Sequence, residues 1–359
     1  MDHCDCTLGD GAVTITPAEI ARRQLTRTTH RIFSLPILVL MPHSGCNCRC
    51  VMCDIWKANS DRRLLTEADL SPGVANLRAL GVQRVVLSGG EALMHPNLWT
   101  LCQLIQGQGA RITLLSTGLL LRRHAENVVR WCDEVIVSLD GSREVHDRIR
   151  RVPGAYDRLA EGVAELKRRQ PATRVTGRCV VQRQNFRDLP LVIVAARSLG
   201  LDQVSFLPAD VSTTAFNRPE PWNGERSSEV ALAPAEASEL AALVEQVIAD
   251  RAADFAGGFI AETPAKLRRI PQYYAALAGN GDLPAVQCNA PWVSAVVEAD
   301  GTVRPCFFHQ PYGNLREQPL EQILNSPEAV AFRRELDIRQ NPICQKCVCT
   351  LNLGRRAEP

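Results

Sequence analysis

Residues 41–56 read MPHSGCNCRCVMCDIW, and this stretch places four cysteines within eight positions. The first residues of the chain, MDHCDCTLGDG, lack the basic start and apolar run that are typical of a signal peptide. No run of about 18 apolar residues predicts a membrane span either. We therefore expect a cytoplasmic chain, and in a reducing compartment clustered cysteines more often bind metal or take part in catalysis than form disulfides.

The composition singles out cysteine as the unusual residue. The apolar fraction of 45% and the charged fraction of 22% are ordinary for a globular protein. A formal net charge of +2 gives no electrostatic reason to expect nucleic acid or an anionic membrane as partner. The 14 cysteines are far from evenly spread: four lie in the quoted stretch, and a second group of five follows residue 287. These two groups are therefore the first candidates for functional residues.

Apolar runs rich in β-branched residues alternate with longer amphipathic segments on the C-terminal side of residue 35. The predicted strands are 35–41, 82–88, 111–116, 134–139, 173–182 and 202–208, and the predicted helices are 65–80, 97–108, 125–132, 155–169, 189–200, 234–252 and 264–279. Six β-then-α units in series predict a parallel sheet with right-handed crossovers, either open or closed as a barrel. Two finer expectations are that Thr66 caps the first helix and that Pro271 interrupts the last.

Ligands of parallel sheets gather at the carboxyl ends of the strands, and four of these ends carry distinctive residues. The first strand is followed by the cysteines, the second by SGGEAL, the third by STG and the fourth by DGSREVHDR. Residues 209–229 are polar and rich in Pro, Asn and Ser, which predicts a long loop or an insertion. The last part of the chain, from about residue 285, is predicted to be a small module held together by its cysteines.

The quoted stretch contains the spacing CxxxCxxC at Cys46, Cys50 and Cys53. Three thiolates on one loop could converge on a zinc ion, with Cys48 or His43 completing a tetrahedral site. They could equally hold a [4Fe–4S] cluster and leave one iron open to a substrate or cofactor. The spacing alone leaves these two alternatives open.

The surrounding residues add a resemblance to a known family. Gly45-Cys46-Asn47 precedes the triplet, Asp54-Ile55-Trp56 follows its last cysteine, and Ser88-Gly89-Gly90-Glu91 follows the next strand. This combination resembles the radical S-adenosylmethionine (SAM) superfamily, which implies a partial (β/α)6 barrel with a [4Fe–4S] cluster on the three cysteines. In that family the open iron chelates SAM, which is cleaved reductively to methionine and a 5′-deoxyadenosyl radical that abstracts hydrogen from the substrate. A flavodoxin- or ferredoxin-type reductant would supply the electron.

The same resemblance implies a set of cofactor-binding residues, and Cys48 is expected to be a non-ligand. A turn of glycines allows close backbone approach, and a carboxylate accepts from the ammonium group of methionine. Taken alone, the glycine pair would indicate only a tight turn, and Asp140-Gly141 an ordinary one. The residues expected to contact SAM are Gly89, Gly90 and Glu91 at the methionine amino group, Ser116 and Thr117 after the third strand, Ser138 and Asp140 at the ribose, and Arg178 at the carboxylate.

The second cysteine group follows the pattern of a metal-binding module. Residues 295–306, AVVEADGTVRPC, predict a hairpin that turns at Asp300-Gly301, and a later CQKCVC supplies CxxC. On its own this pattern fits a zinc ribbon. Beside the first half of the chain it resembles the twitch domain, a shortened SPASM domain that binds one auxiliary [4Fe–4S] cluster. The ligands implied by position are Cys288, Cys306, Cys344 and Cys347, with Cys349 as the competitor for the last place.

The expected fold class is α/β: a radical SAM partial barrel followed by a small cysteine-rich α+β module. The expected divisions are an N-terminal extension (1–34), the barrel (35–232), a helical connector (233–284), the twitch/SPASM-like module (285–352) and a tail (353–359). Cys4 and Cys6 fall in the extension and have no assigned role.

The expected reaction is an oxidation of a small polar substrate, such as a sugar or aminocyclitol, in which the auxiliary cluster accepts an electron. A peptide-modifying maturase or an epimerase is the alternative, and an epimerase would need a hydrogen donor. Arg178 and Cys179 on the predicted fifth strand are the candidate catalytic residues. Two other classes of protein stay open: a zinc-binding interaction protein without enzymatic activity, and an electron carrier.

Overall fold

The computed structural model describes residues 15–354, 357 and 359. Cys4 and Cys6 therefore lie outside the described residues. The strands are β1 (Ile37–Leu40), β2 (Arg84–Leu87), β3 (Arg111–Ser116), β4 (Glu134–Ser138), β5 (Arg174–Val181), β6 (Gln203–Pro208), β7 (Ser294–Val297), β8 (Thr302–Arg304) and β9 (Gly313–Asn314). All six strands predicted for the barrel are present, because each is a short run of β-branched and apolar residues bounded by turn residues.

Helices precede, separate and follow the strands. They are α1 (Pro17–Thr29), α2 (Glu67–Leu70), α3 (Val74–Ala79), α4 (Leu98–Gln106), α5 (Leu121–Trp131), α6 (Arg143–Arg150), α7 (Ala155–Arg169), α8 (Leu189–Ser198), α9 (Gly224–Ser228), α10 (Pro234–Asp250), α11 (Ala252–Ala256), α12 (Pro264–Leu277), α13 (Ala290–Val293), α14 (Leu320–Leu324), α15 (Pro327–Glu335) and α16 (Pro342–Gln345). Among the described residues, no helix has the length and apolar character needed to span a membrane.

The strands form a single sheet in the order β6-β5-β4-β3-β2-β1-β7-β8-β9. Strands β1 to β6 are parallel to their neighbours, which confirms the predicted series of βα units and the α/β fold class. Strand β7 also pairs in parallel with β1, with Leu38 opposite Ala295. The hairpin of the C-terminal module therefore extends the barrel sheet instead of forming a separate one. The residue divisions expected from the sequence stay a prediction, and the sheet runs across the division at 285.

Two helical expectations differ from the structure. The predicted helix 65–80 is two short helices, α2 and α3, with a 3₁₀ turn at Ser71–Gly73 between them. Its cap is as predicted: Thr66 forms a capping box with Asp69. Pro271 does not interrupt α12, which runs continuously through it and buries both Pro271 and Tyr274. The helices that were not predicted are α1, α6 and the short helices α9, α11, α13, α14 and α16.

The two ends of the barrel differ in character. The cysteine loop follows β1 at the carboxyl end of the sheet. At the opposite end, Arg84, Arg111 and Arg174 stand with Glu134 around a cavity of about 340 Å³. Arg84 donates there to the hydroxyl of Thr113 at 2.7 Å. Paired charged residues thus line the amino-terminal end of the barrel. The cysteine loop and the other candidate site residues lie at the carboxyl end.

Candidate functional site

The turn after β2 is bonded directly to the cysteine loop. Glu91 N donates to the Gly45 carbonyl at 2.9 Å, and Gly90 N donates to the His43 carbonyl at 3.2 Å. A Cβ on Gly90 would lie 2.0 Å from the Gly45 oxygen, so only glycine fits. Gly89 adopts a φ of +108°, which also favours glycine. Glycine at these two positions allows the turn after β2 to pack directly against the cysteine loop.

Glu91 is fully buried and holds the next strand end in place. Its carboxylate accepts from Thr117 N and from the Thr117 hydroxyl, both at 2.7 Å, and from the Ser116 hydroxyl at 3.0 Å. Burial raises the pKa of Glu91, against these hydrogen bonds. The structure thus brings Glu91, Ser116 and Thr117 together beside the cysteine loop. Their contacts with SAM stay a prediction.

The cysteines of the first loop have different surroundings. Burial raises the pKa of Cys46 and of Cys53 to about 12 each, and both thiols are half-buried. The Cys48 thiol donates to the Cys50 sulfur, and this bond, with the nearby Arg150 guanidinium, lowers the pKa of Cys50. Cys48 itself is buried in a small apolar cluster. Cys50 belongs to the same cluster, so burial does not distinguish the two, and the expectation that Cys48 is a non-ligand stays a prediction.

The donor set of this loop fits an iron–sulfur cluster better than a lone ion. His43, the alternative fourth ligand, uses Nδ1 to accept from Gly45 N at 2.8 Å. Within residues 15–354, 357 and 359, no three His, Cys, Asp or Glu side chains are grouped closely enough to hold a single metal ion. Three thiols on one loop, with positive charge behind them, suit the thiolate-rich and negatively charged [4Fe–4S] cluster.

Asp140 and Arg150 form a buried ion pair behind Cys50. Arg150 Nη2 contacts the Asp140 carboxylate, and Arg150 Nη1 lies 3.4 Å from Cys50 Sγ. The other Asp140 oxygen accepts from Val180 N at 3.0 Å. Both side chains are at most 7% exposed. The carboxylate expected at the SAM ribose is therefore engaged with Arg150 here, and the ribose contact stays a prediction.

Residues 209–229 fold over the cysteine loop, and we call them the covering segment. Arg218 Nη1 is paired with Asp210 at 2.8 Å, while Nη2 donates to the Met52 carbonyl at 3.3 Å. Trp222 Nε1 donates to Asp54 Oδ2 at 2.8 Å. The polar composition predicted a loop correctly, but the segment is packed against the loop and contains the short helix α9.

Strand β5 carries two candidates on opposite faces. Arg178 is half-buried opposite Ser138 of β4, and its Nε lies 3.4 Å from the Ser205 hydroxyl. Cys179 is 1% exposed and belongs to the main apolar core with Val181, because successive residues of a strand face opposite sides. Burial raises the pKa of Cys179 well above its ordinary value. Cys179 is thus a buried thiol near the Asp140–Arg150 pair, and its role as a hydrogen donor stays a prediction.

Hydrogen bonds from Asn289 hold the end of the chain close to the second cysteine group. Asn289 N donates to the Leu351 carbonyl at 2.7 Å, and the Asn289 amide is bonded to both backbone groups of Leu353. These bonds hold the segment after CQKCVC beside Cys288. Burial and, to a smaller extent, charge interactions with other thiols of the group raise the pKa values of Cys306, Cys344 and Cys347. The members of the group are Cys288, Cys306, Cys344, Cys347 and Cys349.

The thiols of the second group differ in exposure. Cys344 is buried, with the His309 ring nitrogen 3.2 Å from its sulfur, and Cys347 is half-buried. Cys349 is exposed, and its carbonyl accepts from Cys347 Sγ at 3.2 Å. This difference favours Cys347 over Cys349 as the fourth ligand, which stays a prediction.

Three residues near the cysteines were missed by the sequence analysis: Arg150, Arg218 and His309. Arg150 lies on the unpredicted helix α6, four residues after the buried His146. Arg218 lies between Phe216 and Trp222, and aromatic residues inside a polar stretch were the signal that this stretch packs against something. No comparable pattern marks His309.

Comparison with protein families finds two matches. The radical SAM superfamily model matches residues 40–193, and the model of the SPASM iron–sulfur cluster-binding domain matches residues 288–348. The first match contains the cysteine loop and strands β2 to β5. The second contains Cys288, Cys306, Cys344 and Cys347 but not Cys349.

Among curated proteins, the chain is 24% identical over 356 residues to the Fe-coproporphyrin III synthase of Methanosarcina barkeri, covering 90% of this chain and 84% of that protein. It is 30% identical over 234 residues to the PqqA peptide cyclase of Ruegeria pomeroyi, covering 64% of this chain and 55% of that protein. It spans 46% of a second relative, the AdoMet-dependent heme synthase of Methanosarcina barkeri, at 27% identity.

Among solved structures, Streptococcus suis SuiB bound to its precursor peptide SuiA gives a TM-score of 0.64 at 15% identity, covering 90% of this chain and 73% of that one. Native anSMEcpe with bound AdoMet gives 0.63 at 18% identity, covering 87% and 86%. At these identities the likeness concerns the fold alone.

Proposed function

The chain belongs to the radical SAM superfamily and carries a C-terminal SPASM iron–sulfur domain, and from this premise we propose that it oxidises its substrate by hydrogen abstraction. Such domains imply [4Fe–4S] clusters and SAM as cofactors. When bound, these groups supply reductive cleavage of SAM, a 5′-deoxyadenosyl radical that takes a hydrogen atom from the substrate, and an acceptor for the electron that the substrate radical gives up as it loses a proton. A flavodoxin- or ferredoxin-type protein would be the reductant in the cell.

One observation carries the proposal: the glycine turn after β2 is bonded to the cysteine loop. Glu91 N and Gly90 N both donate to carbonyls of residues 43–45, immediately before Cys46. The turn that would bind the amino acid part of SAM and the loop that would hold the cluster are thus joined by two backbone hydrogen bonds into one unit. In this unit Cys46, Cys50 and Cys53 would hold the cluster.

The other residues would bind and orient. Thr117 and Ser116 fix the Glu91 carboxylate by hydrogen bonds, so it does not need to be ordered when SAM binds. Arg178 is a half-buried cation on β5, on the face opposite Cys179, and we propose that it binds the SAM carboxylate. The second cysteine group would hold the auxiliary cluster through Cys288, Cys306, Cys344 and Cys347.

The substrate has two candidates. A small polar molecule such as a sugar or aminocyclitol is the expectation from the sequence. A larger substrate, an iron porphyrin or a peptide, is favoured by the curated relatives, which are named for Fe-coproporphyrin III synthesis and for peptide cyclisation. The hydrogen-abstraction chemistry is common to both candidates.

The test is anaerobic reconstitution followed by addition of dithionite and SAM. We expect about eight irons per chain and formation of 5′-deoxyadenosine. Replacing Cys46, Cys50 and Cys53 together by Ala should abolish 5′-deoxyadenosine formation and leave about four irons. Cys102→Ala is the matched control, because Cys102 is a buried core residue on α4. Zinc at about two per chain with SAM uncleaved would refute the proposal and favour a zinc-binding scaffold.

A further inference from the structure

Arg218, in the covering segment, has a charged side chain that is completely buried. Its side chain is 0% exposed, and that of its partner Asp210 is 1% exposed. Arg218 also donates to the Asp210 carbonyl at 3.0 Å and to the Met52 carbonyl at 3.3 Å. Met52 immediately precedes Cys53, so the guanidinium lies against the last turn of the cysteine loop.

Aromatic rings close the remaining sides of this guanidinium. Its carbon lies 3.8 Å from the centre of the Trp222 ring and 5.5 Å from that of Phe216. Trp222 is fixed by its bond to Asp54, the residue after Cys53. Phe216 packs edge to face on Phe308 of the C-terminal module. Water is therefore kept from the charge, and a charge in such surroundings acts over a longer distance than an exposed one.

Stability alone does not account for the pair. Removing two charges from water costs several kcal/mol per ion before attraction offsets it, and apolar residues of similar size are often as stable. A second buried pair, Arg150 with Asp140, contacts the same loop at Cys50. Two buried guanidiniums thus contact the loop whose thiolates would carry negative charge.

We propose that Arg218 is a positioning residue that holds the last turn of the cysteine loop and makes the cluster bound there easier to reduce. The inference rests on the proposed function, because it assumes a [4Fe–4S] cluster on Cys46, Cys50 and Cys53. Reduction adds one electron to the cluster, and a desolvated cation next to it stabilises the added negative charge. The Asp210 carboxylate accepts from Nη1 and the Met52 carbonyl from Nη2, so the guanidinium is the charged group of the pair that contacts the loop.

The chain offers a matched control in the same segment. Arg226 also donates to a carbonyl of the cysteine loop, that of Val51, and also stacks on Trp222, at 4.4 Å. It differs in being 25% exposed and paired with the half-exposed Glu229. Solvent screens its charge, so Arg226→Gln should shift the cluster potential little.

The experiment is an anaerobic redox titration of the reconstituted protein, followed by electron paramagnetic resonance of each cluster. At a fixed solution potential we expect Arg218→Gln to lower the ratio of reduced to oxidised first cluster about tenfold, equivalent to about 59 mV. Arg218→Lys, which keeps a positive charge, should recover part of this change. The auxiliary cluster should be unaffected in all variants. Equal potentials for the first cluster in Arg218→Gln and Arg226→Gln would overturn the inference.

A double variant covers the case in which Arg218→Gln does not load iron. Arg218→Gln with Asp210→Asn leaves no unpaired buried charge, and its first cluster should titrate at the wild-type potential if the pair acts only structurally. A ratio below that of the wild type, by less than in Arg218→Gln because the opposing charge of Asp210 is also removed, supports the inference. The wild type separates this question from the proposed function: if its first cysteine loop gives no [4Fe–4S] signal, the proposed function fails before Arg218 is tested.

Discussion

Gly90 is the position at which the smallest change should have the largest effect on the candidate site. An alanine there would place its Cβ 2.0 Å from the Gly45 oxygen and 2.5 Å from the Gly45 carbonyl carbon. Real Cβ atoms do not approach backbone closer than 3.0 Å, so the turn and the loop must move apart by about 1 Å. Both neighbours are backbone, and no flexible side chain can yield instead.

The magnitude follows from two contributions. Opening the contact by about 1 Å stretches the hydrogen bond from Glu91 N to Gly45, now 2.9 Å, beyond useful length. Losing that bond costs about 0.5–1.5 kcal/mol, and the overpacking itself costs about 1–3 kcal/mol. We expect Gly90→Ala to lower the free energy of unfolding by about 1.5–4.5 kcal/mol. Since Gly45 precedes Cys46, the first cysteine would move with it.

Two measurements check this expectation. Denaturant unfolding of the chain gives the stability change, and iron analysis after anaerobic reconstitution should show a loss of about four of about eight irons. Gly73→Ala is the control, because a Cβ at Gly73 meets nothing within 4 Å and should stabilise the chain by about 0.4–1 kcal/mol. The reasoning is refuted if Gly90→Ala retains full iron and unfolds with wild-type stability.

Three further predictions concern the same region and the C-terminal module. His146 is buried and neutral, and burial lowers its pKa from 6.5 to about 3, so the stability it contributes is present above pH 6.5 and is lost as the pH falls toward 3. Between about pH 7.5 and 5.5 the wild type should lose about 1.4 kcal/mol that His146→Asn does not lose, as measured by denaturant unfolding; equal slopes would contradict this. Thr117→Val removes a 2.7 Å hydrogen bond to the buried Glu91 and should cost about 1.5–3 kcal/mol of stability and weaken SAM binding in calorimetry; unchanged values would show that the hydroxyl does not hold the carboxylate. Cys347→Ala should lower auxiliary iron more than Cys349→Ala, because Cys349 is exposed, and the reverse order would reassign the ligand.

Local signals in the sequence were sufficient for the barrel and for the turns. Runs of β-branched residues located β1 to β6, and α7 begins and ends where its apolar pattern does. Thr66 caps α2, and Gly301 turns the hairpin with a φ of +88°. These features depend on residues close to one another in the chain.

Features that depend on distant residues were not predictable in the same way. The parallel pairing of β1 with β7 joins residues about 250 positions apart, and no local pattern specifies it. Arg218 was read as part of a polar loop because its burial depends on contacts with Met52 and Trp222, which only the folded chain supplies. Pro271 was expected to break α12, but tertiary packing of the helix offsets the missing N–H.

The pairing of β1 with β7 also determines what shortening the chain would do. Strand β1 lies between β2 and β7, so a chain ended before residue 285 would leave one side of β1 without a hydrogen-bonding neighbour. Leu38 and Leu40, now covered beside Val297, would lose part of that cover. An apolar, unpaired strand edge is a template for self-association. The isolated barrel should therefore aggregate, and the C-terminal module protects the solubility of the whole chain as well as carrying the second cysteine group.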